Sequence, residues 1–485
     1  MALGAELRRL GRHSVIYGLG GLVSRILAVL LLPLYTHYLS PADYGRIETL
    51  VALTTVLSIV LRFGIQPAFF RFTFDSPDPE RRRVVLRTSF WFTIGTSTAG
   101  LAALALLAEP ISQALFGTGD AWDLVLASGV ALWAQMNYEQ LTAVFRVEER
   151  SLAFVAASLV NIAVTVAATV LLVVVWRQGP LGVIVGNFTG TLLVYAALIG
   201  YRREQLGLAF DRGLLREMNR FGLPLVPSGL LLWVTSFSDR FFLVTLADAA
   251  ETGLYSVGVR IASAMVLLLT AFRMAWPAFA YSIADDGEAR RTYAWVLTYL
   301  TVASAWVATG LALLSPWLVD WLAAPAFAPA SRVVGPLAFA AVAFGAYIVV
   351  AIGIGREKRT QFNWVVTGAA AVVNVGLNLA LIPPYGMMGA AVATVAAYAV
   401  MFVGMAWWAQ RIYPVPYQWR RVATAAGAGI GLAAAGKLLD AGLPLAIALT
   451  VVYPLALASL GFLLPVERAG IRRRLLRRRR PLSSP

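Results

Sequence analysis

The chain has 485 residues, of which 59% are hydrophobic and only 13% are charged, and its mean hydropathy is +0.73. Soluble domains carry about a quarter charged residues, so this composition excludes an ordinary soluble protein. It predicts an all-α polytopic membrane protein. The chain lacks cysteine and has two histidines, which excludes disulfides and thiolate or histidine-rich metal sites.

Apolar segments divide the chain into about fourteen predicted transmembrane helices, because a bilayer core needs about 20 apolar residues per helix. Six of them form a first half, six form a second half, and two more follow. In chain order they are residues 14–36, 46–66, 85–108, 122–143, 152–176, 179–201, 223–246, 253–275, 293–315, 332–354, 362–382, 387–410, 420–438 and 442–464.

Arginines are concentrated in alternate loops, which sets the expected orientation. If the N-terminus lies in the cytoplasm, Arg146 and Arg150 belong to a cytoplasmic loop, and the opposite side carries only Arg46, Arg177, Arg332 and Lys437. This asymmetry predicts that both termini of the chain face the cytoplasm. It also accounts for most of the net charge of +15 without nucleic acid. We interpret the basic tail as an anchor on anionic lipids, with a docking site for a cytoplasmic partner as the alternative.

The two halves share sequence landmarks, which predicts an internal repeat. Ser24-Arg25, Tyr44-Gly45, Pro67-Ala68-Phe69, Val160-Asn161 and Gly179 to Gly182 correspond to Asp239-Arg240, Gly253-Leu254-Tyr255, Pro277-Ala278-Phe279, Val373-Asn374 and Gly386 to Gly389. Paired halves around a central site are typical of secondary transporters. We therefore expect an N-terminal lobe (1–201), a cytoplasmic linker (202–222), a C-terminal lobe (223–410), an extra helix pair (411–465) and a basic cytoplasmic tail (466–485).

Five arginines remain inside the predicted spans: Arg25, Arg62, Arg240, Arg260 and Arg273. A cation in mid-bilayer costs about 2.5–3.5 kcal/mol or more, so Arg25 should face a wet cavity or a partner. Arg62 and Arg273 lie near helix ends, where they can reach the headgroups. We assign Arg25, Arg240 and Arg260 to an anionic substrate, since the guanidinium fork suits phosphate. The alternative is that these three only hold helices together in ion pairs.

Acidic and amide side chains in the spans are few. Asp239, Glu48 and Glu139 are candidates for binding a coupling ion, H+ or Na+, or for ion pairs with arginines. Asn161 and Asn374 are polar cavity candidates, and hydrogen bonds between helices would also explain them. We expect no cofactor and no metal. The chain is not expected to be an enzyme, because it has no acid/base pair, nucleophile elbow or metal constellation.

Several motifs resemble one family. They are Leu22 to Leu27, Leu39 to Gly45, Arg220 to Ser228, Ser238 to Arg240, Gly253 to Gly258 and Val373 to Pro383. Together and in this order they resemble the polysaccharide biosynthesis membrane proteins. These are the lipid-linked oligosaccharide flippases of the MOP (multidrug/oligosaccharidyl-lipid/polysaccharide) exporter superfamily.

The resemblance implies two six-helix lobes related by an internal repeat, plus a C-terminal helix pair, around a V-shaped cavity. It implies alternating-access translocation of an undecaprenyl-diphosphate-linked oligosaccharide across a bacterial inner membrane, for O-antigen or exopolysaccharide synthesis. Arg25 would then contact the diphosphate, with Arg240 and Arg260 as further candidates. The implied partners are this substrate, membrane lipids and the polysaccharide polymerase or ligase machinery, without nucleic acid. A lipid II flippase, a cation-coupled multidrug exporter and a membrane scaffold are the alternatives.

Overall fold

The computed structural model describes residues 31–75, 78–357, 359 and 361–462. Throughout these residues the regular elements are helices, without a β-strand, which confirms the predicted all-α class. The predicted first span, 14–36, lies mostly outside the described residues, as do the basic tail and the candidate site residue Arg25.

Seventeen α-helices follow one another in the described chain, joined by short turns. They are α1 Leu32–Tyr38, α2 Pro41–Arg62, α3 Ile65–Thr73, α4 Pro79–Leu106, α5 Ala108–Phe116, α6 Trp122–Val147, α7 Ser151–Val170, α8 Gly179–Arg202, α9 Arg212–Gly222, α10 Val226–Leu246, α11 Ala249–Ala262, α12 Ala264–Ser282, α13 Asp286–Leu322, α14 Ser331–Arg356, α15 Gln361–Ile412, α16 Trp419–Leu438 and α17 Leu443–Ser459.

Within the described residues, nine helical segments are long and apolar enough to cross a membrane, so the chain is a multi-pass membrane protein. The predicted spans 362–382 and 387–410 form one helical run, α15, which is interrupted at Gly386. The last predicted span, 442–464, corresponds to α17. That helix has 17 residues, which is short of the roughly 20 that a straight span needs. The count of fourteen stays a prediction.

Local sequence signals start several of these helices. Ser40 caps α2, because its hydroxyl accepts from the backbone N–H of Asp43 at 3.1 Å while the Asp43 carboxylate accepts from the backbone of Ser40. Asp211 caps α9 through the N–H of Leu214 at 3.0 Å. Pro227 lies in the first turn of α10, directly after a 3₁₀ turn. This proline therefore starts a helix, where its missing N–H costs nothing, rather than bending one.

Two glycines of the repeat meet where α2 crosses α11. A Cβ atom added to Gly45 would lie 1.7 Å from the carbonyl oxygen of Ala249 and 2.9 Å from the nitrogen of Gly253. A Cβ atom on Gly253 would lie 1.9 Å from the carbonyl oxygen of Pro41. The two backbones therefore touch directly, and only glycine fits at either position.

A second pair of repeat glycines has matching geometry at the starts of two helical segments. Gly179 and Gly386 both have a positive φ, 56° and 53°. Three residues later, Gly182 and Gly389 each lie against the backbone of the preceding segment, at Leu172 and Leu381. This landmark therefore combines a positive-φ glycine with a close backbone contact in both halves.

The described chain forms two compact units. The first contains the described residues up to Arg260 together with Val319–Ala330 and Ala371–Ala393, and one of its apolar clusters is built on Phe69 and Met218. The second contains Ile261–Leu318, Ser331–Ala370 and the described residues from Thr394. One of its apolar clusters surrounds Trp276 and Tyr293. The lobe boundaries expected from sequence stay a prediction.

Candidate functional site

Arg240 lies on α10 and is buried, with 5% of its surface exposed. Its guanidinium donates to the carbonyl oxygen of Ser236 at 2.8 Å and faces the rings of Phe237 and Tyr255 at 5.2 and 5.9 Å. Among the described residues, no carboxylate lies within salt-bridge distance of Arg240, and its Nε has no hydrogen-bond acceptor. A buried cation of this kind is expected to face an anion or a water-filled cavity.

Asp239 precedes Arg240 on α10, and adjacent residues of a helix do not face each other. The carboxylate of Asp239 accepts a hydrogen bond from the hydroxyl of Tyr255 on α11. Asp239 is 2% exposed, so its carboxylate is held inside the protein. Tyr255 therefore contacts both charged side chains: its ring faces Arg240, and its hydroxyl donates to Asp239.

Polar side chains also connect α10 to α15. The hydroxyl of Ser238 lies 3.4 Å from Oδ1 of Asn374, which also accepts from Asn378 at 3.1 Å. The Nδ2 of Asn374 and the Oδ1 of Asn378 have no partner among the described residues, although both side chains are fully buried. Buried amide groups usually make all their hydrogen bonds, so these two retain capacity to bind a ligand or water.

Glu48 and Arg260 form an ion pair between α2 and α11, with Nη2 and Oε1 2.7 Å apart. The guanidinium of Arg260 also lies 5.5 Å from the ring centre of Tyr44. That ring meets Phe327 edge to face. Arg260 is thus neutralised by a carboxylate, whereas Arg240 lacks one among the described residues. Of the two arginines, Arg240 is the better placed to bind an anionic substrate.

Glu139 on α6 forms an ion pair with Arg62 at 2.7 Å and accepts a hydrogen bond from Gln135. Arg62 also donates to Gln66 at 2.8 Å. Arg62 thus has a protein partner at the end of α2 rather than lying free toward the headgroups.

Glu139 and Asn161 line the same polar cavity, whose volume is about 630 Å³. Asn161 contacts Thr191 and Thr165 through its amide group. Helices α3, α6 and α7 form the walls of the cavity. The full lining is Gln66, Pro67, Phe70, Gln135, Tyr138, Glu139, Thr142, Arg146, Phe154, Ser158, Asn161 and Ile162.

Sequence reasoning missed one side of this cavity. Gln135, Glu139, Thr142 and Arg146 follow one another at intervals of four, three and four residues on α6. That spacing places them on one face of a helix, and all four line the cavity. The expected loop position of Arg146 is wrong, because α6 continues to Val147, beyond the end of the predicted span. The polar stripe was the signal that would have identified this face.

Known proteins similar to this chain include transporters and flippases. The family model described as polysaccharide biosynthesis protein matches residues 36–332. The lipid III flippases of Escherichia coli (strain K12) and Shigella flexneri are each 25% identical to the chain over 268 residues. That alignment covers 52% of this chain and 61% of each relative, so the match spans less than two thirds of their length.

Solved structures share the fold. The lipid II flippase MurJ, in an inward closed conformation, superposes with a TM-score of 0.73 over 92% of this chain and 99% of MurJ, at 13% identity. An inward-facing multidrug resistance MATE family transporter of the MOP superfamily superposes with a TM-score of 0.68 over 80% of this chain and 94% of the transporter, at 14% identity. The family model matches more than half of the chain, so it establishes the family and not only the fold. The chain is a member of the polysaccharide biosynthesis protein family.

Proposed function

We propose that the protein is a flippase that moves an undecaprenyl-diphosphate-linked oligosaccharide across the cytoplasmic membrane for O-antigen or exopolysaccharide synthesis. The relatives support this proposal, because their name, lipid III flippase, says that they move a lipid. The family, described as polysaccharide biosynthesis, supports a glycan-bearing substrate.

The observation that carries the proposal is the buried charge of Arg240. Within the described residues, its guanidinium has no carboxylate partner, and two aromatic rings enclose it. A diphosphate would supply the missing negative charge, and its oxygens match the guanidinium fork. Arg25 is the second diphosphate contact in this proposal, from the matching position of the first repeat. Arg260 would act mainly by holding α11 to α2 through Glu48.

The proposed transport cycle is alternating access between two six-helix lobes, with a C-terminal helix pair outside them and fourteen spans in all. The membrane would be a bacterial inner membrane, and both termini would lie in the cytoplasm, as the arginine distribution predicts. An H+ or Na+ gradient would bias the return step. Asp239 is the favoured ion site, because its carboxylate is almost fully buried and is held in place by the hydroxyl of Tyr255.

Mass spectrometry of lipid-linked intermediates in a deletion strain tests this function. We expect one diphosphate-linked oligosaccharide to accumulate while the matching surface glycan disappears. Accumulation of the peptidoglycan precursor instead would identify a lipid II flippase. An unchanged lipid pool with raised drug sensitivity would contradict the proposal and favour a multidrug exporter. A scaffold for the polymerase or ligase machinery would tolerate loss of Arg25 but not of the basic tail.

A further inference from the structure

Helix α7 has a second cavity on another of its faces. An apolar groove of about 420 Å³ follows the seam between α7 and α8. Its α7 wall is Ala153, Ala156, Ala157 and Val160, whereas Phe154, Ser158, Asn161 and Ile162 of the same helix line the polar cavity. With 3.6 residues per turn, these two sets occupy separate faces. One helix therefore separates a polar compartment from an apolar one.

Small side chains form the groove. The groove exists because three alanines of α7 and Ala197 of α8 have small side chains. Larger side chains surround it: Phe145, Val160, Leu193, Val194, Leu198 and Tyr201. Val160 and Tyr201 are themselves exposed, at 53% and 59%, so the groove is open toward the surroundings of the helix pair. An apolar chain entering from the bilayer would have direct access to it.

Arg146 and Arg150 both lie at the N-terminal end of α7. Arg146 lies beside the polar cavity, and Arg150 lies beside the apolar groove. The guanidinium of Arg146 lies over Phe70 and Phe154 at 5.5 and 5.3 Å, at the polar cavity. The guanidinium of Arg150 lies over Phe145 and Tyr201 at 6.0 and 5.7 Å, at the groove.

The backbone joins these two arginines closely. The N–H of Arg150 donates to the carbonyl oxygen of Phe145 at 2.8 Å, so the turn between α6 and α7 is tight.

The charge at this end is available to a ligand. Arg202 is neutralised by the carboxylate of Glu148, which accepts from both of its terminal nitrogens at 2.9 Å. Neither Arg146 nor Arg150 has a carboxylate within salt-bridge distance in the described part of the chain. Two exposed guanidinium groups thus lie at one end of α7, one beside the polar cavity and one beside the apolar groove.

We propose that α7 binds one lipid-linked oligosaccharide across both compartments, an assignment that rests on the proposed function. The glycan occupies the polar cavity, where amide, carboxylate and aromatic groups supply the contacts that sugars use. The isoprenoid chain lies in the apolar groove. In this loading state, which precedes the contact with Arg240, the diphosphate crosses the end of α7 between Arg146 and Arg150. A volume of 630 Å³ is within the usual range for a small-molecule site of about 300–1,000 Å³.

Photo-crosslinking in living cells tests the assignment, because the mass of a crosslinked adduct identifies a glycan of any composition. The full-length protein carries p-benzoylphenylalanine at Ser158, in the polar cavity, or at Ala157, in the groove. Ala163 lies on the same helix, is exposed and lines neither compartment, so it is the matched control.

We expect the same polyprenyl-diphosphate glycan at Ser158 and Ala157 and only phospholipid at Ala163. Replacing both Arg146 and Arg150 with glutamine should lower glycan capture about tenfold or more, because two charge-assisted contacts are lost. The variant Arg216→Gln, on the exposed side of α9, should leave the capture unchanged.

A fourth probe replaces Phe237, beside Arg240. It distinguishes a failure of this assignment from a failure of the proposed function. Lipid-linked glycan at Phe237 with phospholipid alone at Ala157 would overturn the division across α7 and leave the proposed flippase intact. Phospholipid alone at all four positions would overturn both. Full glycan capture in the double glutamine variant would overturn the diphosphate position.

Discussion

The guanidinium of Arg260 donates to the carboxylate of Glu48 at 2.7 Å, across 212 positions of the sequence. This ion pair joins α2 to α11, the same two helices whose backbones touch at Gly45 and Gly253. A charged contact and a close helix crossing therefore hold corresponding segments of the two halves together.

Breaking this pair from one side should destabilise the protein. The variant Glu48→Gln leaves the mostly buried Arg260 without its counter-charge, which we expect to cost about 3 kcal/mol of unfolding free energy. Thermal melting of the detergent-solubilised protein measures the loss. The double variant Glu48→Gln/Arg260→Gln should melt higher than Glu48→Gln alone, since no unpaired charge remains. Strictly additive losses would show that the two residues do not interact.

Substitution of Gly45 by alanine should separate α2 from α11. The new methyl group would overlap the carbonyl oxygen of Ala249, and a backbone atom cannot move aside as a side-chain end can. We expect a loss of about 1–3 kcal/mol or more, read as a lower melting temperature.

Gly95→Ala is the control for this substitution, because Gly95 lies in α4 with open space at its Cβ position. It should keep or slightly raise stability, since alanine is the better helix former. Equal effects at Gly45 and Gly95 would contradict the close crossing.

Gly386 provides a second backbone test within α15. Its φ of 53° favours glycine, and an added Cβ would lie 2.7 Å from Oε2 of Glu251. That carboxylate accepts from the backbone N–H of Met387 at 2.8 Å and so caps the second part of α15. Gly386→Ala should cost about 1–2 kcal/mol from the backbone alone and weaken the cap. Circular dichroism melting of this variant measures the loss.

Gly376→Ala is the matched control for this test, on the same helical run with nothing near its Cβ position. It should melt at or above the wild-type temperature. If Gly376→Ala proved the more damaging of the two variants, the break at Gly386 would not be a structural requirement.

Much of the architecture was predictable from the sequence because hydropathy and repeat landmarks are local properties. The apolar segments predict helices, and the matching of Gly179 with Gly386 corresponds to similar positive φ angles. The end of the chain was harder, since α17 is shorter than a typical span. The family resemblance is confirmed by the match over residues 36–332.

Partners of the charged residues were not predictable in the same way. The position of Glu48 along a span says nothing about which helix its carboxylate faces, and its partner Arg260 lies far away in sequence. The distribution of charge between loops assigns Arg146 to a loop, although its side chain lines a cavity. The helical periodicity of Gln135, Glu139 and Thr142 pointed to the cavity face, and that pattern is visible in the sequence alone.

The charge of Arg240 is the central element of the proposed mechanism. In Arg240→Gln the diphosphate would lose its buried counter-charge, while Arg240→Lys keeps the charge and loses the fork. We expect transport to fall about a hundredfold or more in the first variant and less in the second, since contacts of buried charges contribute about 3 kcal/mol. The exposed Arg216→Gln is the control for removal of a positive charge.

The most direct test is transport in proteoliposomes that contain purified full-length protein and the lipid-linked intermediate extracted from the deletion strain. A membrane-impermeant glycosidase outside the vesicles reports how fast the glycan crosses the bilayer. The account predicts rapid crossing with the wild type and Arg216→Gln, and nearly none with Arg240→Gln at equal protein levels. Wild-type rates in Arg240→Gln, or no protein-dependent crossing at all, would contradict it.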